Sequence, residues 1–156
     1  MGVIDIVKNT KKIYSDSTVL VKIGKFYYCY GKDSYIIYYL TNYKINLLEN
    51  NIYSCAFSTN AYNKVLSILE EKKINYIILD RRNNYDEDEK ADFKNLNNYD
   101  KYYEKAKAEM SKKMRIEKIY KYLCNNSSDN DLIVEIEKII KMKNKWLIKV
   151  AIIIIF

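Results

Sequence analysis

The chain has 156 residues, 49% of them apolar, and its 27 lysines and arginines outnumber 20 aspartates and glutamates, for a formal net charge of +7. That suffices for one domain with a real core and a small appendage, and the positive balance suits polyanionic partners. The absence of histidine excludes Ser-His-Asp, Cys-His and His-ligated zinc chemistry, and three glycines cannot build a Walker or dinucleotide-binding loop.

Along the chain, "MGVIDIVKNTKKIYSD" reads as a short basic helical lead-in, with no long apolar run before its charges and hence no expected secretory signal. Ile6 stands where an N-myristoylation signal wants Ser or Thr. "TVLVKIGKFYYCYG" has the β-branched and aromatic content of paired strands, with a tight turn at Gly24-Lys25. "KDSYIIYYLTNYK" suits a short helix capped near Asp33 or Ser34. "INLLE" and "IYSCAFS" read as strands around the turn signal "ENN". A helix follows from Ser58 to Asn60 onward with Val65, Leu66, Ile68 and Leu69 as its buried stripe, and "INYIILD" is a buried strand. This order predicts an α/β domain, a mixed sheet flanked by helices.

Past Asp80 the polar stretch "RRNNYDEDEKADFKN" reads as a surface connection. Its acidic block, Asp80, Asp86, Glu87, Asp88, Glu89 and Asp92, suits a solvated loop better than a metal-dependent nuclease set, because no second carboxylate cluster lies on a neighbouring strand. Next comes a long basic helix with an apolar stripe of Tyr103, Ala106, Met110, Ile116, Ile119 and Leu123. "NNSSDN" breaks it, and a second amphipathic helix carries Leu132, Ile133, Ile136, Ile139, Ile140, Trp146 and Leu147. The tail from Val150 to Phe156 is far shorter than the ~20 apolar residues of a membrane-spanning helix. It fits a last helical turn, a terminal strand or a reading-frame accident in AT-rich DNA. The expected organisation is an α/β domain over 1–96, a basic helical hairpin over 97–145 and an apolar tail over 146–156. The three cysteines lack Cys-x-x-Cys spacing and read as small core hydrophobes in a reducing compartment. The basic excess is uneven: 7 cations against 3 anions in residues 1–45, 7 against 10 in 46–100, and 13 against 7 in 101–156.

The run "VLVKIGKFYYCYGKDSYIIYYL", followed by "IYSCAFSTNAYNKVLSILEEKKINYIILD", resembles the N-terminal mismatch-recognition domain of the bacterial mismatch-repair protein MutS, over roughly residues 15 to 82. Gly24-Lys25-Phe26-Tyr27-Tyr28 lies on that family's Gly-Asp-Phe-Tyr-Glu motif, and Cys55-Ala56-Phe57-Ser58 on its Ala-Gly-apolar-Pro. The resemblance implies that Phe26 enters the DNA minor groove as a rigid wedge, stacking on a mispaired base whose step costs less to unstack than a sound one. Residues two apart on a strand face the same way, so Tyr28, which stands at the glutamate position, would point with Phe26 at the DNA while Tyr27 faces away. Lys25 replaces the family's aspartate and adds phosphate attraction, as do Lys22 and Lys32. Gly24 is then the turn that presents Phe26, and Gly31 the break that releases the strand into the next helix.

The expected function is a non-enzymatic, cytoplasmic DNA-binding module without a cofactor, with the helical pair standing where the family's connector, lever, clamp and ATPase domains would be. Its partner would be duplex DNA carrying a mismatch or bulge, bound weakly by a lone module that buries on the order of 600–1,000 Å². The alternative is a protein-interaction adaptor derived from that domain with its mismatch selectivity lost. A protein partner or a homodimer through the C-terminal helices stays open under both readings, and no membrane is expected.

Overall fold

The computed structural model describes residues 2–49, 51–94 and 97–155, with side chains through residue 144. It divides into two units, residues 1–112 and 113–156.

The first unit is built on a six-stranded mixed sheet: β1 (Thr18–Ile23), β2 (Phe26–Tyr30), β3 (Ile45–Leu47), β4 (Tyr53–Ser58), β5 (Tyr76–Asp80) and β6 (Asp86–Ala91), in the spatial order β3-β4-β2-β1-β5-β6. Only β1 and β5 run parallel; the other neighbours are antiparallel. The helices are α1 (Val3–Ile13), α2 (Lys32–Thr41), α3 (Tyr62–Glu71) and the start of α4 (Asn98–Asn125). The α/β class and the mixed sheet are as the residue patterns imply.

Period-two alternation sorts the two faces of the sheet. Leu20, Tyr27, Cys29, Cys55, Phe57, Tyr76 and Ile78 face a core closed by Ile36 and Ile37 of α2, Val65, Leu66 and Leu69 of α3 and Tyr99 of α4. On the other face Val19, Val21, Ile77 and Leu79 pack against Val7 of α1. β5 is buried at every position because both faces are covered, which is why it reads as a continuous apolar run. Each such side chain taken fully from water contributes about 1.5–3 kcal/mol.

Two expectations are corrected. The segment 86–91, read as part of a surface loop, is the edge strand β6, exposed along nearly its whole length. It carries none of the apolar alternation that marks a strand; its ladder forms because β5 would otherwise leave a row of unpaired backbone groups. The charges that disguise it also blunt the sheet edge against pairing with another chain. Among them, Glu89 accepts hydrogen bonds from the hydroxyls of Tyr62 and Tyr76.

The second correction concerns α2. Neither Asp33 nor Ser34 caps it: the N-cap is Gly31, at φ 57° and ψ −127°, a backbone region open to glycine. Ser34 Oγ donates back to the Gly31 carbonyl at 2.7 Å. Asp33 is buried in the interior, where its carboxylate accepts from Lys11 Nζ at 3.1 Å, the Tyr99 hydroxyl at 2.6 Å and the Val19 amide at 3.0 Å. One side chain thereby ties α1, β1, α2 and α4 together.

In the second unit, the end of α4 and α5 (Asn130–Ile155) are separated by a turn in which Asp129 Oδ1 accepts the Leu132 amide at 3.0 Å. Leu123, Leu132 and Ile136 line a cleft beside this turn. The apolar stripe expected along α4 splits: Ala106 and Met110 are buried, while Ile116 and Ile119 are exposed. On α5, Ile133, Ile139 and Ile140 are also exposed. The side chains of Trp146 and Leu147 and the tail beyond lie outside the described side chains, though the helical backbone continues to Ile155.

Candidate nucleic-acid interface

The β1–β2 hairpin turns through two residues, Gly24 and Lys25, closed by the pair Ile23 and Phe26. Gly24 has φ +63°, whereas Lys25 is not left-handed, the pattern of a type II′ turn with glycine first. The Lys25 carbonyl accepts the Thr59 amide at 3.0 Å, so the tip is also anchored to the end of β4. A short connection held at both ends makes the first residue of β2 a rigid mounting.

That residue is Phe26, and it is 47% exposed, while the adjacent Tyr27 is 5% exposed. Tyr27 lies on the core face, stacked between Phe57 and Tyr62 at centroid distances of 5.4 and 4.9 Å. Phe26 and Tyr28 share the opposite face, their ring centroids 6.3 Å apart and tilted by 53°. Across from them on β4 stand Ser58 and Ala56, small side chains that leave room above the sheet.

The cations separate in space. Lys25 is exposed at the tip beside Phe26. Lys22, cross-strand from Tyr27, lies on the other face and forms an ion pair with Asp80 at 3.0 Å. Asp80 also accepts the Arg82 amide at 2.8 Å, and this bond first, with Lys22 behind it, holds its carboxyl below the usual range. The hydrogen bond that Lys22 donates to Asp80 in turn holds the Lys22 ammonium above its usual range. Lys32 sits beyond the opposite end of β2, its ammonium 4.9 Å from the centre of the Tyr103 ring. The structure therefore groups Phe26, Tyr28 and Lys25, and places Lys22 on the far face and Lys32 at the far end.

Two cations escaped the reading of the sequence. The parallel register that sets Lys22 beside Asp80 carries the exposed Arg81 and Arg82, in a single 3-10 turn, to the end of β1 next to the hairpin tip. The available signal was a pair of arginines at the carboxyl end of a buried strand, where α/β sheets place their ligand-binding loops.

Among the described residues, no group of three or more Cys, Asp or Glu side chains is placed to hold a metal ion, and no helix is long and apolar enough to cross a membrane. The carboxylates of β6 are spread along an exposed edge.

Compared with known proteins, residues 1–100 match the family model described as MutS domain I. No curated protein matches the chain.

Proposed function

We propose that this chain, which belongs to the MutS domain I family, is a non-enzymatic, cytoplasmic module that binds mismatched or otherwise distorted duplex DNA, with Phe26 as a wedge in the minor groove. The family's domain is a DNA-binding domain of mismatch-recognition lineage. The observation that carries the finer reading is Phe26 itself, a large aromatic held 47% exposed at the first residue of a strand by a two-residue turn. A rigid apolar ring inserts between base steps at an unstacking cost of a few kcal/mol, smallest where pairing is already defective. Tyr28, on the same face, can stack and can both donate and accept a hydrogen bond. Lys25, Arg81 and Arg82 supply the phosphate attraction, which makes binding salt-sensitive.

The test is binding of wild type and Phe26→Ala to mismatched, single-base-bulged and perfectly paired duplexes at two salt concentrations. Preference for the defective duplexes that disappears in Phe26→Ala is the expected result. Undetectable binding to all three duplexes would sink the reading. Selective binding that survives Phe26→Ala would keep the module and remove the wedge.

A second reading, a protein-interaction adaptor that has lost mismatch selectivity, is favoured by one observation: the exposed Ile133, Ile139 and Ile140 of α5 present apolar surface suited to a protein partner or a second copy.

A further inference from the structure

Phe26, Tyr28 and Tyr30 occupy alternate positions of β2 and so project from one face of the sheet. On that face α1 packs through Val7 over Val19 and Val21 of β1 and Ile77 and Leu79 of β5, and Tyr30 lies partly buried against the same cluster, at the end of the row away from the hairpin tip. The neighbouring strand β4 presents only Ser58, Ala56 and Ser54 opposite the three aromatics. The result is a row of aromatic side chains beside a floor of small residues, the form of surface on which planar groups can lie.

We infer that this row is a stacking platform for single-stranded DNA, one base per aromatic. The inference rests on the nucleic-acid reading of the same face but names a different substrate class from a mispaired duplex step. Spacing decides it. Side chains two apart on a strand stand about 6.6–6.8 Å apart, in line with the 6.3 Å between the Phe26 and Tyr28 rings. That is about twice the ~3.4 Å rise per nucleotide along a duplex strand. Successive bases can meet successive aromatics only after unstacking from one another, which a single strand does freely and a paired duplex does not.

Charge fits the same occupant. Exposed Lys25 stands at one end of the row, and at the other the row runs into a cleft of about 420 Å³ where Lys8 and Lys32 share the lining with the Lys11–Asp33 ion pair and with Ile4 and Val7 of α1. Cations at both ends of an aromatic track are the arrangement that follows a phosphate backbone while leaving base identity unread, because every base has a π-face.

The experiment measures binding of the full chain to a labelled oligothymidylate and, in parallel, to the bulged duplex, for wild type, Tyr28→Ala and Tyr28→Phe. The expected result is oligothymidylate binding that weakens about tenfold or more in Tyr28→Ala and is retained in Tyr28→Phe. Because Tyr28→Ala removes a side chain that is partly buried, a second measurement uses wild type alone. Ultraviolet crosslinking of a bromodeoxyuridine-substituted oligothymidylate should map to Phe26, Tyr28 or Tyr30. Equal binding by Tyr28→Ala, or crosslinks confined to other segments, would overturn the inference. Failure to bind oligothymidylate with Phe26-dependent binding of the bulged duplex would overturn it too while leaving the wedge reading in place. Failure on both probes would remove both.

Discussion

Asp33 and Tyr99 are 66 residues apart in the chain and 2.6 Å apart in space, the Tyr99 hydroxyl donating to the Asp33 carboxylate. The same Tyr99 oxygen accepts from Lys11 Nζ at 2.9 Å, and Lys11 also reaches the Ser17 carbonyl at 2.7 Å. Removing one member leaves its neighbours a hydrogen bond short in the interior. Tyr99→Phe should cost about 1–3 kcal/mol of stability, and Asp33→Ala about 3–5 kcal/mol, read from urea denaturation. Phe26→Ala, at an exposed site, should stay within about 0.5 kcal/mol of wild type in the same assay.

The same node sets a pH dependence. Burial raises the Asp33 carboxyl above the usual range, and Lys11, the Tyr99 hydroxyl and the Val19 amide offset this only in part. A raised folded-state value means that the native protein holds this proton more tightly. The stabilising contribution is therefore present below the ordinary carboxylate range and is lost as pH rises through the raised value. Asp80 has the opposite sign: its depressed value contributes above the ordinary range and fades as pH falls through the depressed one. The stability advantage of wild type over Asp33→Asn should shrink as pH rises across the first window. Its advantage over Asp80→Asn should grow as pH rises across the second. Midpoints measured by denaturation from strongly acidic to neutral pH check both directions, Asp80 below the ordinary carboxylate range and Asp33 above it.

A Cβ at Gly24 or Gly31 would meet no atom within 4 Å, so what favours glycine at both is backbone conformation rather than space. Both have positive φ, +63° and +57°. Alanine at either should destabilise by about 1–3 kcal/mol, and Gly24→Ala should weaken DNA binding further by displacing Phe26. Comparison of denaturation midpoints with duplex affinities separates the two effects.

Lys22 and the Arg81-Arg82 pair should differ in their effect on salt dependence. Lys22 is spent on Asp80, so Lys22→Ala should leave the slope of log affinity against log salt nearly unchanged. Arg81→Ala and Arg82→Ala should each reduce it by about 1. A salt titration of duplex binding gives the slopes directly. An equal reduction from Lys22→Ala would mean that the Asp80 pair opens on DNA.

Local chemistry carried much of the architecture. Gly24-Lys25 between two aromatic and β-branched runs announces a hairpin, and the unbroken run of β5 announces burial on both faces, because each depends on residues near in sequence. The alternation that separates exposed Phe26 from buried Tyr27 is local as well. By contrast, nothing near Asp33 in sequence shows that it would leave the helix start for the Val19 amide, or that Tyr99 would meet it there. A short polar residue before an apolar run reads as a cap until a distant donor competes for it.

What the sequence by itself determined is which segments form strands and helices where their own periodicity is strong, and which side of each strand is apolar. Only the tertiary structure decided which cations lie near Phe26, that an acidic stretch becomes the edge strand β6, and that α1 packs over β1 and β5 on the face that carries Phe26. The physical reason is the pairing of β1 with β5 and β5 with β6, which joins residues more than fifty and about ten positions apart through backbone hydrogen bonds. Backbone pairing is indifferent to side-chain pattern, so it can carry Arg81 and Arg82 to the hairpin tip and hold a row of charges in a sheet without leaving any periodicity to read.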